Sequence, residues 1–196
     1  MSLMSPLSRS RVPEWRTAAG PPLPGALAGV EHEYRVFDRQ GRRVDFATLI
    51  HGLPLDGLWL DPGDVNACRL RSGLVVTADG MEAEAASPPV ETGPGFDGLL
   101  AAWADSGRQA IEAALGAGYS LEGYSTHISV SFPGSLAAAE RYARTFGLVL
   151  GRLLEGPDSL GIYVRPRPGR IEFCGEYIEG GRLRSAARFA VASVRA

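Results

Sequence analysis

The chain has 196 residues, 22 acidic against 20 basic side chains, and a formal net charge of -2. Every basic residue is an arginine, which excludes a lysine Schiff base, a Ser-Lys nucleophile pair and a P-loop phosphate lysine. The near-neutral balance argues against a bulk electrostatic nucleic-acid binder, and any phosphate must be met by arginine, backbone N–H groups or a metal ion.

Residues 1–25 are expected to be a short expression scar, Met1 to Met4, followed by a Pro-rich flexible leader ending in Gly20-Pro21-Pro22-Leu23-Pro24-Gly25. Residues 26–196 are expected to form a single domain. No apolar run approaches the roughly 20 residues of a membrane span. Cys68 and Cys174 lie far apart and form no CxxC pair. The expectation is a soluble cytoplasmic protein with reduced thiols and no membrane or nucleic-acid partner.

The first strand is predicted over Gly29–Phe37, closed by the turn Asp38-Arg39-Gln40-Gly41 and returned by Arg42–Phe46. Extended pieces follow at Leu58–Leu60, Cys68–Arg71 and Leu74–Thr77. Asp79-Gly80 then makes a hairpin turn into Met81–Ala86, because Asp-Gly readily adopts positive φ. Phe96–Ala117 carries a helical apolar stripe, with Gly116 and Gly118 as candidate C-terminal caps. His127–Phe132 alternates as a strand, and Leu136–Leu154 reads as a helix with Ser135 as N-cap and Gly156-Pro157 as its stop. Ile162–Val164 and Arg170–Cys174 are strand-like, and Ser185–Arg195 is helical. This order predicts an α+β fold, a mainly antiparallel sheet with helices gathered on one face.

Strand alternation puts Glu31, Glu33 and Arg35 on one face and Val30, His32, Tyr34 and Val36 on the other. Two carboxylates about 7 Å apart repel each other unless a cation lies between them, and either Arg35 or a divalent metal could fill that role. Glu82 and Glu84 repeat the pattern among alanines. His127 leads a strand whose same-face partners are Ser129 and Ser131, and Glu172 shares its face with Arg170 and Cys174, after Arg165 and Arg167. Each cluster taken alone is equally readable as an exposed polar face, a structural histidine or a salt-bridge network. Together they place several carboxylates and one imidazole on strands of one sheet, a donor set suited to Mg²⁺ or Mn²⁺ rather than structural zinc. Nearby arginines would hold nucleotide phosphates in the absence of lysine.

The series GVEHEY at 29–34, EAEAASPPVE at 82–91, YSTHISV at 124–130 and RPRPGRIEF at 165–173 resembles the carboxylate-amine ligase group that includes the bacterial and plant type of glutamate–cysteine ligase. The resemblance implies a glutamine synthetase-like catalytic domain, a curved, mainly antiparallel sheet of about six strands. It also implies ATP, Mg²⁺ or Mn²⁺, and an amide bond made from a small carboxylate and an amine through an acyl phosphate. By position, Glu31, Glu33, Glu84, His127 and Glu172 would be metal ligands, and Arg35, Arg167 and Arg170 would contact the nucleotide. Glu84 is preferred to Glu82 because it stands three residues before Ser87-Pro88. Two positions depart from the family pattern: Ser129 stands where a second histidine is common, and Cys174 where an arginine is. The chain is also short for the group. The alternatives are a noncatalytic homologue binding a metabolite or a protein partner, and a metal-dependent hydrolase. Assembly into a homo-oligomer is left open.

Overall fold

The computed structural model describes residues 26–61, 64–132, 136–154 and 163–195. The leader, the Ser135 cap and the Gly156-Pro157 stop lie outside the described residues. The strands are β1 (Leu27–Asp38), β2 (Arg43–Val44), β3 (Gly57–Asp61), β4 (Asp64–Leu70), β5 (Val75–Asp79), β6 (Glu82–Ala86), β7 (Val90–Glu91), β8 (Tyr119–Ser131), β9 (Tyr163–Arg167) and β10 (Arg170–Glu176). Three α-helices are described: α1 (Phe96–Leu115), α2 (Leu136–Leu154) and α3 (Gly180–Arg195). None of the described helices is long and apolar enough to cross a membrane.

All the strands join one sheet in the order β3-β4-β5-β6-β1-β8-β10-β9, with β2 and β7 pairing β1 beside this path. Every strand pairing is antiparallel. The expected glutamine synthetase-like domain of about six strands is therefore corrected: among the described residues the sheet has ten strands. The figure of about six came with the family resemblance, whereas the extended segments read in chain order lack only β7. β2 and β7 have two residues each, and β3, β5, β6 and β9 have five. The two-residue β7 carries no periodicity of its own and is a strand only through its pairing with β1.

Most boundaries differ from the sequence reading by a few residues, and the starts of β8 and α3 differ most. β8 starts at Tyr119 rather than His127, so His127 lies inside a 13-residue strand. Its early half includes Glu122 and Gly123, which are weak strand formers, and contact with β1 overrides that preference. α3 starts at Gly180, before Ser185.

One face of the sheet carries the helices. Ala28, Val30, Tyr34 and Val36 from β1, Ile128 and Val130 from β8, and Ile171 and Phe173 from β10 are buried in two apolar clusters. Trp103 and Leu100 of α1 and Leu183, Ala186, Ala187 and Ala190 of α3 complete the larger cluster. β8 carries a bulge: Ser125 pairs Glu33 and Gly123 pairs Tyr34, leaving Tyr124 as the extra residue. Gly123 lies against the Tyr177 ring, where a Cβ would come within 2.2 Å of it. With the helices on one side, the opposite face keeps its polar side chains.

Candidate metal centre on the polar face

Cross-strand register builds the site row by row. Glu33 of β1 stands opposite Glu84 of β6 on one side and Ser125 of β8 on the other. In the next row Glu31 faces His127, which in turn faces Cys174 of β10. In the third, Ser129 faces Glu172, and Glu172 faces Arg165 of β9. Arg170 pairs Arg167 one row further. Period-two alternation points these side chains to the same face, and facing pairs lie within contact range.

His127 is the hub. Its Nδ1 lies 3.3 Å from Glu31 Oε2, and its Nε2 lies 3.5 Å from Glu33 Oε1 and 3.3 Å from Ser125 Oγ. Ser125 donates to Glu33 Oε2 at 2.6 Å. Two overlapping groups bring their ligand atoms within 4.8 Å of one another: Glu31, His127 and Glu172, and Glu33, Glu84 and His127. Oxygen and nitrogen ligands on an octahedral Mg²⁺ stand about 2.1 Å from the ion and at most about 4.2 Å apart, so a small closure would bring either group into range.

Electrostatics divides the two groups. The Glu172 side chain, 2% exposed, meets Arg165 Nε at 2.8 Å, Arg167 Nε at 3.3 Å and Arg170 Nη2 at 3.9 Å. Cys174 Sγ lies 3.9 Å from the same carboxylate. Glu33 and Glu84 have no arginine partner among the described residues, whereas Glu82 is paired with Arg43. Burial, reinforced by Glu31 and Glu33, pushes Glu84 up to about 8. Burial also raises Glu33, although the Ser125 hydrogen bond opposes it. For His127, burial favours the neutral ring, but hydrogen bonding with Cys174 and Glu31 and the charge of Glu33 outweigh it and push its pKa up to about 10.

The fold thus gathers Glu31, Glu33, Glu84, His127, Glu172, Arg167 and Arg170. Arg35 is engaged elsewhere: it pairs with Glu122 at 3.4 Å, and its guanidinium carbon lies 4.5 Å from the centre of the Tyr124 ring. Ser125 and Arg165 belong to the site and were not among the predicted residues. Each sits two residues from one that was, and a strand begun earlier than His127 would have shown Ser125 on the same face. Beside Glu31 a cavity of about 310 Å³ opens, lined by Gly29, Ser87, Ser129, Ser131 and Arg170. The Ser129 hydroxyl is buried with no hydrogen-bond partner among the described residues. An oxygen-rich donor set with one imidazole fits Mg²⁺ or Mn²⁺, and the three guanidiniums on Glu172 fit phosphoryl oxygens.

No family model and no curated protein matches this chain. Among solved structures, a chain described as a C-terminal regulatory domain of aspartate kinase from Porphyromonas gingivalis W83 is similar, with a TM-score of 0.25 and 9% identity. The alignment covers 86% of this chain and 94% of that one. A likeness of that size defines neither a shared fold nor a shared function.

Proposed function

We propose that the polar face is the site of an ATP- and Mg²⁺-dependent (or Mn²⁺-dependent) ligase. It would join a small carboxylate to an amine in the cytoplasm through an acyl phosphate, the reaction type of glutamate–cysteine ligases. One observation carries the reading: Glu33 and Glu84 face each other across adjacent strands with His127 beside them and no arginine on either. Like charges directly opposite destabilise a ladder; without an ion the raised pKa values of Glu84 and His127 relieve the repulsion with protons, which a divalent cation would displace. Glu33, Glu84 and His127, with Glu31 and Glu172 at the margin, are the residues that would hold it.

When bound, nucleotide and ion supply the phosphoryl group and neutralise the charge that builds up as it moves. Arg167 and Arg170 would meet phosphoryl oxygens in exchange for their present contacts with Glu172. Arg35 stands further along the same strand face. Ser125 orients Glu33 through its hydrogen bond. The cavity beside Glu31 has room for a small carboxylate or amine substrate. Incubation with ATP and Mg²⁺ and a panel of amino acids and amines should release ADP only when both a carboxylate and an amine are present. No ATP binding at millimolar Mg²⁺ would end this reading.

A second reading, a noncatalytic homologue that binds a metabolite or protein, is favoured by the internal pairing of Glu172 with three arginines and of His127 with Glu31 and Glu33. Stabilisation against heat by a metabolite, but not by Mg²⁺ with ATP, would select it.

A further inference from the structure

The bulge in β8 carries one aromatic side chain across the sheet. Ser125 points to the polar face, where it donates to Glu33 Oε2 at 2.6 Å. Strict alternation from Ser125 would send Tyr124 to the helix side and Gly123 to the polar face. The extra residue reverses both. Gly123 points to the helix side, where a Cβ would run into the Tyr177 ring, and Tyr124 stands beside Arg35 on the polar face. The Arg35 guanidinium carbon lies 4.5 Å from the centre of the Tyr124 ring, and Tyr124 remains 42% exposed. Arg35 also differs from the arginines at Glu172. Those three share one carboxylate, whereas Arg35 has Glu122 to itself at 3.4 Å. Its Nε is buried with no hydrogen-bond partner among the described residues.

We infer that Tyr124 and Arg35 form the platform on which the base of the nucleotide stacks, and that Arg35 is not a phosphate contact. This inference rests on the reading of the polar face as an ATP site and deepens it by naming the residues that meet the base. A phosphate beside Arg35 would be brought against Glu122, whereas a neutral base would not. Aromatic rings and guanidinium planes are the partners on which bases stack. An acceptor nitrogen at the edge of the base would satisfy the orphaned Nε–H. The position along β1 also suits a nucleotide. Arg35 lies two residues beyond Glu33 and four beyond Glu31, about 13 Å along the strand from Glu31. A base at this end leaves ribose and phosphates to run over Glu33 and His127, and it leaves the cavity beside Glu31 to the second substrate.

The test compares two ligands by calorimetric titration of the full chain in Mg²⁺: ATP, and inorganic tripolyphosphate, which has the phosphates without the base. The unaltered protein should bind ATP more tightly. Tyr124→Ala should weaken ATP by about 5- to 150-fold and leave tripolyphosphate unchanged. Tyr124→Phe should keep the ATP affinity, because stacking needs the ring and not the hydroxyl. Arg35→Gln should likewise weaken ATP and spare tripolyphosphate. Saturation-transfer NMR on the unaltered protein gives a second readout that needs no variant to fold: the purine protons should receive magnetisation from aromatic protein protons. Equal affinity of the unaltered protein for the two ligands, an equal loss of both in Tyr124→Ala, or no loss of either, would overturn the inference and leave the ATP reading standing. Binding of neither ligand by the unaltered protein would overturn both.

Discussion

Glu84 and Asp97 are two carboxylates with opposite fates on opposite sides of the sheet. Asp97, in the first turn of α1, is 5% exposed and accepts hydrogen bonds from Arg188 at 2.6 Å and Arg184 at 2.8 Å, both on α3. Those two arginines hold its pKa down to about 2. Glu84 has no such partner among the described residues, and burial with two neighbouring carboxylates pushes it up to about 8. The histidines repeat the contrast. His32 packs among Tyr34 and Tyr177 on the helix side and is lowered to about 4, mainly by burial. His127, two strands from Glu84 by way of β1, is raised to about 10 by Cys174 and its carboxylate surroundings, against the effect of burial. A satisfied buried charge ties elements together, whereas an unsatisfied one marks a place that gains from binding something.

The contrast breaks most sharply at Glu84. Glu84→Gln should lower ligase turnover by at least about 100-fold, as expected for loss of a group that holds transition-state charge. Above about pH 8, where Glu84 is ionised, the same change should raise the melting temperature of the metal-free protein, because it removes a repelling carboxylate. A drop in both would place Glu84 with Asp97 as a structural acid. Asp97→Asn is expected to do the reverse, costing about 1.5–3 kcal/mol in urea unfolding while leaving Mn²⁺ affinity unchanged.

Acidity and alkalinity should separate the two regions next. For Asp97 the folded pKa lies below the ordinary carboxylate value, so its contribution is complete above pH 3.8 and is lost as the pH falls through about 2. For Glu84 and His127 the folded values are raised. Their contributions are complete below 4.5 and 6.5 and are lost as the pH rises through about 8 and about 10. The metal-free melting temperature should therefore fall across pH 5 to 10, and millimolar Mg²⁺ should offset the fall increasingly as the pH rises toward 8. A flat profile with no Mg²⁺ effect would dissolve the distinction. The smallest effect is expected at His32. His32→Phe should shift stability by about 1 kcal/mol and leave Mn²⁺ binding untouched, since its ring packs against Tyr177 and faces away from the cluster.

Much of the polar face was legible because alternation is a local property. Glu31 and Glu33 share a face whatever the tertiary structure does, as do Arg165 and Arg167, and Arg170, Glu172 and Cys174. The pairing of Glu33 with Glu84 was not, because a one-residue slip in register would have put Glu84 on the helix side. Ser125 was hidden by a strand start placed too late, at a stretch whose residues favour no strand until β1 pairs with it. Asp97 was hidden by distance, since its arginines lie 87 and 91 residues away. Of the short strands only β7 had no counterpart in the sequence, because a two-residue piece has no signal apart from its partner.

By itself the sequence determined the lysine-free chemistry, the helical stripe of Phe96–Leu115 and the carboxylate-bearing faces of β1, β6 and β10. These depend on residue type and on periods of two and about 3.6. Only the tertiary structure decided that Glu172 belongs to three arginines, that Glu84 belongs to none among the described residues, and that His127 stands between Glu31 and Glu33. Charge partnership acts through space across strands that are distant in sequence, so it exists only once register has been set.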